Sequence, residues 1–271
     1  MRSLSEIDWS LIWHEGRKHR SCKSKGRKEW NRKAASFARR NRGSAYIDKL
    51  LPFIDVGSDE TVLDVGSGPG TLALPLAKRA KGVTALDFSS DMLAELSSAA
   101  TAEGLANITT VLAAWEDDWR SLGVEVHDIA VASRSLAVDD LAGALIKLNG
   151  WARRKVVITD RVGAGPFDPD VFAAVGRPFA PGPDYIITVN MLYQMGINAR
   201  VDFIPAEFTE IFATRAEAAD SCLWMLEELR PEEQAGFARF MDERLVAQPD
   251  GSWRLTRNHI PKWAVISWDK S

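Results

Sequence analysis

Two cysteines in 271 residues, Cys22 and Cys222, are too few and too far apart for a disulfide framework or a metal knuckle. A chain so poor in cysteine suits a reducing compartment, and a cytoplasmic protein is expected. Histidine is scarce as well. His14, His19, His127 and His259 are scattered, so they form no cluster with acids suited to a divalent ion, and no metal is expected. No apolar run reaches the length that crosses a bilayer, and Met1-Arg2-Ser3 is not followed by a signal-peptide core, so no membrane association is expected. Internal repeats and long low-complexity segments are missing too. What is there is an ordinary globular composition, 46% hydrophobic and 26% charged, in a chain long enough for one large α/β domain with an added subdomain.

A net charge of −3 hides an asymmetry. Residues 1–42 hold 13 Lys and Arg against 4 Asp and Glu, a net of +9, which leaves −12 on the remainder. Trp9, Leu11, Ile12 and Trp13 suit a short helix over 7–15. Arg17, Lys18, Arg20, Lys23, Lys25, Arg27 and Lys28 then follow with Gly16 and Gly26 as breakers, a pattern that predicts a mobile loop. Such a loop is either a solvated tail or a lid that steers an anionic partner. A further helix over 29–40 places Trp30, Ala34, Phe37 and Ala38 on one side. Residues 1–43 therefore read as a basic helical lid on a main domain over 44–271.

The chain is organised around residues 61–96. Val62-Leu63-Asp64-Val65 is short, apolar and β-branched, as in a buried parallel strand. Gly66, Gly68 and Gly70 follow, alternating with Ser67 and Pro69, and such a turn admits a ligand that any Cβ would push away. A helix is expected over 71–81, with Leu72, Leu76 and Ala80 on one face, and then a second strand over 82–86 that ends in Asp87. The dinucleotide fingerprint does not fit, because Thr71 occupies the place of its third glycine, so NAD is not expected.

Asp64 followed by G-x-G-x-G, together with Asp87-Phe88-Ser89-Ser90-Asp91-Met92-Leu93, resembles the class I S-adenosylmethionine-dependent methyltransferases. The resemblance implies a Rossmann-like, doubly wound, seven-stranded and mostly parallel sheet with helices on both faces. It implies S-adenosylmethionine as cofactor, held by Asp64, Gly66, Ser67, Gly68 and Gly70, with Asp87 on the ribose hydroxyls and Phe88 and Met92 beside it. It also implies that the helix before the first motif covers the cofactor, although core packing would explain the same stripe. In relatives the loop after the third strand commonly reads Asp-Ala-Glu-Asp, whereas this chain has Ala114-Trp115-Glu116-Asp117. Trp115 is then expected to supply a stacking face or backbone contact and Glu116 an acceptor. The competing reading puts Trp115 in the core and Glu116 on the surface.

Further strands are expected over 107–113, 128–132, 155–160, 200–204 and 263–268, and helices over 44–54, 91–101, 139–151 and 184–197. Gly163 to Pro183 reads as an irregular loop. The insertion over 206–261 reads as a helical cap with helices over 214–229 and from Pro231 onward. Its first part, to Pro249, has 10 acids against 4 bases. The cap would either build a substrate pocket or serve as a homodimer face.

The tip of the fourth strand carries Ser133-Arg134-Ser135-Leu136 rather than the Asn/Asp-Pro-Pro-Tyr/Phe of amino-methyltransferases acting on bases or glutamine. Ser133 is a cofactor-side candidate. Arg134 would either bind a substrate carboxylate or phosphate or pair with Asp139 or Asp140. No Pro-Cys stands at a strand tip, which disfavours a thiolate route to cytosine C5. The remaining catalytic candidates are Tyr193, available with Tyr185 to a pocket, and His259, which would serve as a base or as a structural residue. The expected function is methyl transfer to oxygen or nitrogen of a small molecule, one carrying negative charge if Arg134 binds it. An RNA methyltransferase using the basic N-terminus is one alternative, and a non-catalytic cofactor-binding regulatory protein is another.

Overall fold

The computed structural model describes residues 6–22, 26–41, 43–205 and 210–270. Lys23, Lys25 and Arg42 of the basic segment, Met1-Arg2-Ser3, and the first residues of the insertion lie outside them. Seven strands form one sheet: β1 Thr61–Val65, β2 Gly82–Asp87, β3 Ile108–Leu112, β4 His127–Ser133, β5 Ala152–Arg161, β6 Arg200–Pro205 and β10 Lys262–Asp269. Their order is β3-β2-β1-β4-β5-β10-β6, and only β10 runs antiparallel to its neighbours. The order turns back between β1 and β4, where Val62 to Asp64 pair with Ile129 to Val131. That turning point opens a crevice at the carboxyl ends of the strands.

The central strands are buried on both faces because helices cover both, whereas the edge strands β3 and β6 stay largely exposed. Side chains alternate along β1, so Leu63 and Val65 enter one core with Trp119, Leu145 and Leu192, while Val62 enters the other with Leu50, Leu76 and Leu96. Helices α6 (Leu141–Gly150) and α8 (Tyr185–Gln194) pack on the first side, and α3 (Ala45–Ile54), α4 (Ala73–Ala77) and α5 (Ser90–Ala102) on the second. Helix α1, Trp9–Lys18, belongs to the first core: Trp13 is buried and its Nε1 donates to Val138 O at 2.9 Å. Helix α2, Arg27–Asn41, lies on α5. The basic residues expected in one loop are thus divided, with Arg17 and Lys18 in α1 and Arg27 and Lys28 in α2.

Three expectations need correction. The helix over 71–81 shrinks to α4, because Pro75 has no N–H to donate back and the flanking residues close as turns. Residues 163–183 are not all loop. Helix α7, Pro169–Ala174, starts with Pro169 in its first turn and with Asp168 capping the Asp170 amide. The cap is not wholly helical. Beside α9 (Arg215–Leu223), a 3-10 turn at Pro231–Glu233 and α10 (Gln234–Arg244) it holds a small antiparallel sheet of β7 (Ile211–Phe212), β9 (Trp253–Leu255) and β8 (Leu245–Ala247). Asp250-Gly251 turns β8 into β9, Gly251 taking φ +82°, which is a hairpin signal. Val171 and Phe172 of α7 sit in the cap's own core with Phe237, Phe240 and Met241. No described helix is long and apolar enough to cross a membrane.

Candidate active site

The site is built from the glycine turn upward. Gly66, at φ +73°, and Ser67 both donate their amides to Leu86 O at 2.8 Å, which ties the end of β1 to the end of β2. A Cβ on Gly66 would overlap the Cβ of Ser135, so the turn and the loop after β4 approach as closely as a glycine allows. A Cβ on Gly70, at φ +84°, would overlap Leu96, so that position serves the packing of α5. Gly68, at φ +55°, is different, because an added Cβ would meet nothing within 4 Å. Its face looks into open space at the crevice.

Asp87 locks this turn. Its Oδ2 accepts from Gly68 N and its Oδ1 from Ser89 N, each at 2.8 Å. Burial raises its pKa, and the amide hydrogen bonds oppose that only in part. Ser89 caps α5 by accepting from Met92 N at 3.2 Å, and its Oγ donates to Asn31 Oδ1 at 2.6 Å, which draws α2 toward the same edge. Asp64 is 1% exposed and its Oδ2 has no hydrogen-bond partner. Burial, and secondly the charge of Asp87, push its pKa up to about 7. Ser67 Oγ is also buried and without a partner. Two such atoms beside an open glycine face are what a polar ligand would complete.

Around this cradle, Phe88 is half-buried and Met92 is buried. Trp115 is half-buried, donates from Nε1 to Ser135 O at 3.1 Å and sets its ring 5.4 Å from that of the fully buried Trp119, tilted by 45°. Glu116 is exposed. Ser133 Oγ shares a hydrogen bond of 2.9 Å with Tyr46 OH, which donates to Thr159 Oγ1 at 2.8 Å. Arg134 takes the left-handed φ of +56°, and its amide donates to Thr159 Oγ1 at 3.0 Å. Its guanidinium lies 4.5 Å from the Tyr46 ring centre and 5.8 Å from that of Trp263. Neither expected acid pairs with it, for Asp139 bonds Arg17 at 2.7 Å and Asp140 caps α6 through Gly143 N.

His259 has its Nε2 2.8 Å from Gly165 O, in the loop after β5 on the Arg134 side of the crevice. Tyr193 is elsewhere. Helix α8 runs back along the sheet so that β6 can start parallel to β5, and Tyr193, 60% exposed, stands at the far end. The structure therefore gathers the glycine turn, Asp64, Asp87, Ser133 and Arg134 at one edge and leaves Tyr193 out. It adds Tyr46, Thr159, Ser135 and Asn31, of which only the serine had a local signal, in its place beside Arg134.

Residues 62–149 match a family model described as a methyltransferase domain. A Haemophilus influenzae protein, itself uncharacterized, is 36% identical over 247 residues, 89% of this chain and 88% of that one. A ribosomal RNA small subunit methyltransferase A of Xanthomonas campestris is 29% identical over 129 residues, 45% of this chain and 48% of that one. Among solved structures, a proposed methyltransferase of Bacillus halodurans C-125 superposes with a TM-score of 0.55 at 15% identity, over 83% of this chain and 98% of that one.

Proposed function

Since this chain belongs to the class I S-adenosylmethionine-dependent methyltransferases, we propose that it transfers a methyl group to an oxygen or nitrogen of a small molecule carrying negative charge. The observation that carries the acceptor class is Arg134. It is a half-buried guanidinium at the tip of β4, stacked on Tyr46, with no carboxylate among the described residues in ion-pair contact. An Arg fork so placed suits a planar oxyanion.

The residues at the turn fit the cofactor. Gly68 leaves room for it, Asp87 stands at the strand tip to meet the ribose hydroxyls, and Asp64 Oδ2 and Ser67 Oγ wait for polar partners. Gly66 and Gly70 shape the turn; Phe88, Met92 and Trp115 wall the adenosine side; Ser133 borders the reacting end. Glu116, on the surface of its loop, is left to approach adenine from the rim. When bound, the cofactor supplies an electrophilic methyl on a sulfonium. The chain has then to align the acceptor in line with that methyl and keep water out. His259 could take the acceptor's proton at Nδ1, since its Nε2 is engaged at Gly165 O.

Residues 9–42 are read as a lid over the cofactor, supported by the Ser89–Asn31 bond. The acidic cap is read as a wall of the acceptor pocket, with a homodimer face as its competing use. A cytoplasmic location is supported by the chain's poverty in cysteine, Cys22 and Cys222 being the two in 271 residues. The partial match to a ribosomal RNA methyltransferase and the basic N-terminus favour a second reading, RNA as acceptor. Release of S-adenosylhomocysteine separates the two. Turnover with anionic small acceptors is expected; turnover only with ribosomal RNA, together with its retardation at moderate salt, would overturn the first reading. Cofactor binding without turnover on either would favour the regulatory one.

A further inference from the structure

The loop that follows β3 runs along the cofactor side of the crevice and has no helix or strand of its own over 114–118. Ala113 N donates to Asp87 O at 3.0 Å, which sets the start of the loop against the tip of β2. Trp115 Nε1 donates to Ser135 O, and Ser135 is the residue whose Cβ closes on Gly66. The indole therefore borders the glycine turn, and because it is only half-buried part of its ring stays open. Ala114 N donates to Asp117 Oδ2 and Ala114 O accepts from Trp119 Nε1, both at 2.8 Å.

A side chain from another element completes these ties. Lys147, in the last turn of α6, donates from Nζ to Trp115 O at 2.8 Å and also to Asp117 O. Its ammonium lies 4.3 Å from the ring centre of Trp119, the same buried ring that stands against Trp115. Glu116, Asp117 and Asp118 are in the same loop, yet Lys147 spends its protons on two main-chain carbonyls. A bond to one of those carboxylates would hold only a side chain. Two carbonyls two residues apart fix the backbone that carries Trp115, and a charged donor makes each bond stronger than a neutral one would. An irregular loop without such ties loses little by moving.

We propose that Lys147 is a positioning residue for the adenine of the cofactor: it holds the backbone of residues 115–117 so that the Trp115 ring meets the base already oriented. An aromatic ring recognises a base through its π-face, and what it contributes depends on how little freedom it gives up on binding. Lys147 removes that freedom in advance. The need arises in this chain because Ala114 stands where the loop of relatives commonly carries an acid, so that recognition falls more heavily on the ring. Lys147 acts through Trp115 rather than by contact with the cofactor. The inference rests on the reading of Trp115 as a wall of the adenosine side, and the experiment lets the two fail separately.

The test is calorimetric titration of S-adenosylhomocysteine into the full chain and into Trp115→Ala, Lys147→Met and the double variant. Trp115→Ala should raise the dissociation constant about tenfold, as for the loss of one base–aromatic stack. Lys147→Met should raise it about fivefold, less than removal of the ring itself. In the Trp115→Ala background the lysine change should add less than about twofold, because the residue it positions is gone. A lysine that merely stabilises the fold would keep its effect there. Met preserves the length and helix propensity of Lys, and Lys147→Gln, held to the same limits, replaces it if Met costs the fold. Lys81→Met, which removes an exposed charge before β2, should leave the constant unchanged. An unchanged constant in Lys147→Met, an equal loss in Lys81→Met, or a full lysine effect in the Trp115→Ala background overturns the proposal and leaves Trp115 in its place. If Trp115→Ala binds as the parent chain does, the reading of Trp115 fails and the proposal falls with it.

Discussion

Asp64 should set folding stability against cofactor capture, and the conflict can be measured. The carboxyl is 1% exposed, and burial with the neighbouring Asp87 moves its pKa from 3.8 to about 7. An acid whose pKa is raised in the native state keeps its proton there at pH values where the unfolded chain has lost it. The native state then binds more protons than the unfolded one between these two values, so stability falls as pH rises through that window and stays low above it. At about 1.4 kcal/mol per pH unit, Asp64 costs about 1.6 kcal/mol at pH 5 and about 4 kcal/mol at pH 8, both upper bounds because the interior relaxes around a charge. Asp64→Asn keeps the shape and removes the titration. Its stability relative to the parent chain should therefore rise by up to about 3 kcal/mol between pH 5 and pH 8. Asp160, whose pKa burial raises to about 6, titrates in both chains and cancels in the difference. Urea unfolding of the ligand-free proteins, followed by tryptophan fluorescence at the two pH values, gives the numbers. A difference that does not change with pH would refute the assignment of a buried, titrating Asp64.

The cofactor and acceptor halves of the site make separate predictions. Asp87→Ala should weaken S-adenosylhomocysteine by about 1.5 to 3 kcal/mol, the loss of charged hydrogen bonds to two hydroxyls, and unchanged calorimetric affinity would remove Asp87 from the site. Gly66→Ala must either displace Ser135 or distort the turn, so thermal unfolding should show a loss of at least about 1 kcal/mol along with weaker ligand binding. A silent substitution would mean that the close approach is not needed. Arg134→Met should spare cofactor affinity and depress turnover; equal loss of both would assign Arg134 to the methionine carboxylate. For the lid, cleavage between Arg17 and Arg42 should slow with S-adenosylhomocysteine and quicken as salt shortens the Debye length below about 8 Å. Equal rates under all conditions would make the segment a solvated tail.

By itself the sequence determined what is local. The first strand, the glycine turn, the helix after Asp87 and both acids were legible because the forces that make them act within a few residues: strand-like apolar runs, positive φ at glycine, and a serine capping its own helix. Signals of that kind failed where the same letters serve two structures. Pro169 reads as loop punctuation yet, with Asp168 as cap, starts a helix, and the short β8–β9 hairpin has too few residues to show a period. Tertiary structure alone decided that Ser135 closes on Gly66, that Tyr46 bonds Ser133 and Thr159, and that Tyr193 stands away from the crevice. It also decided that Arg134 goes without both Asp139 and Asp140, and that α1 brings Arg17 to Asp139. Those contacts join residues about 70 to 120 positions apart, and they form because burying both faces of one sheet fixes which loops share its carboxyl edge. No local pattern encodes that sharing.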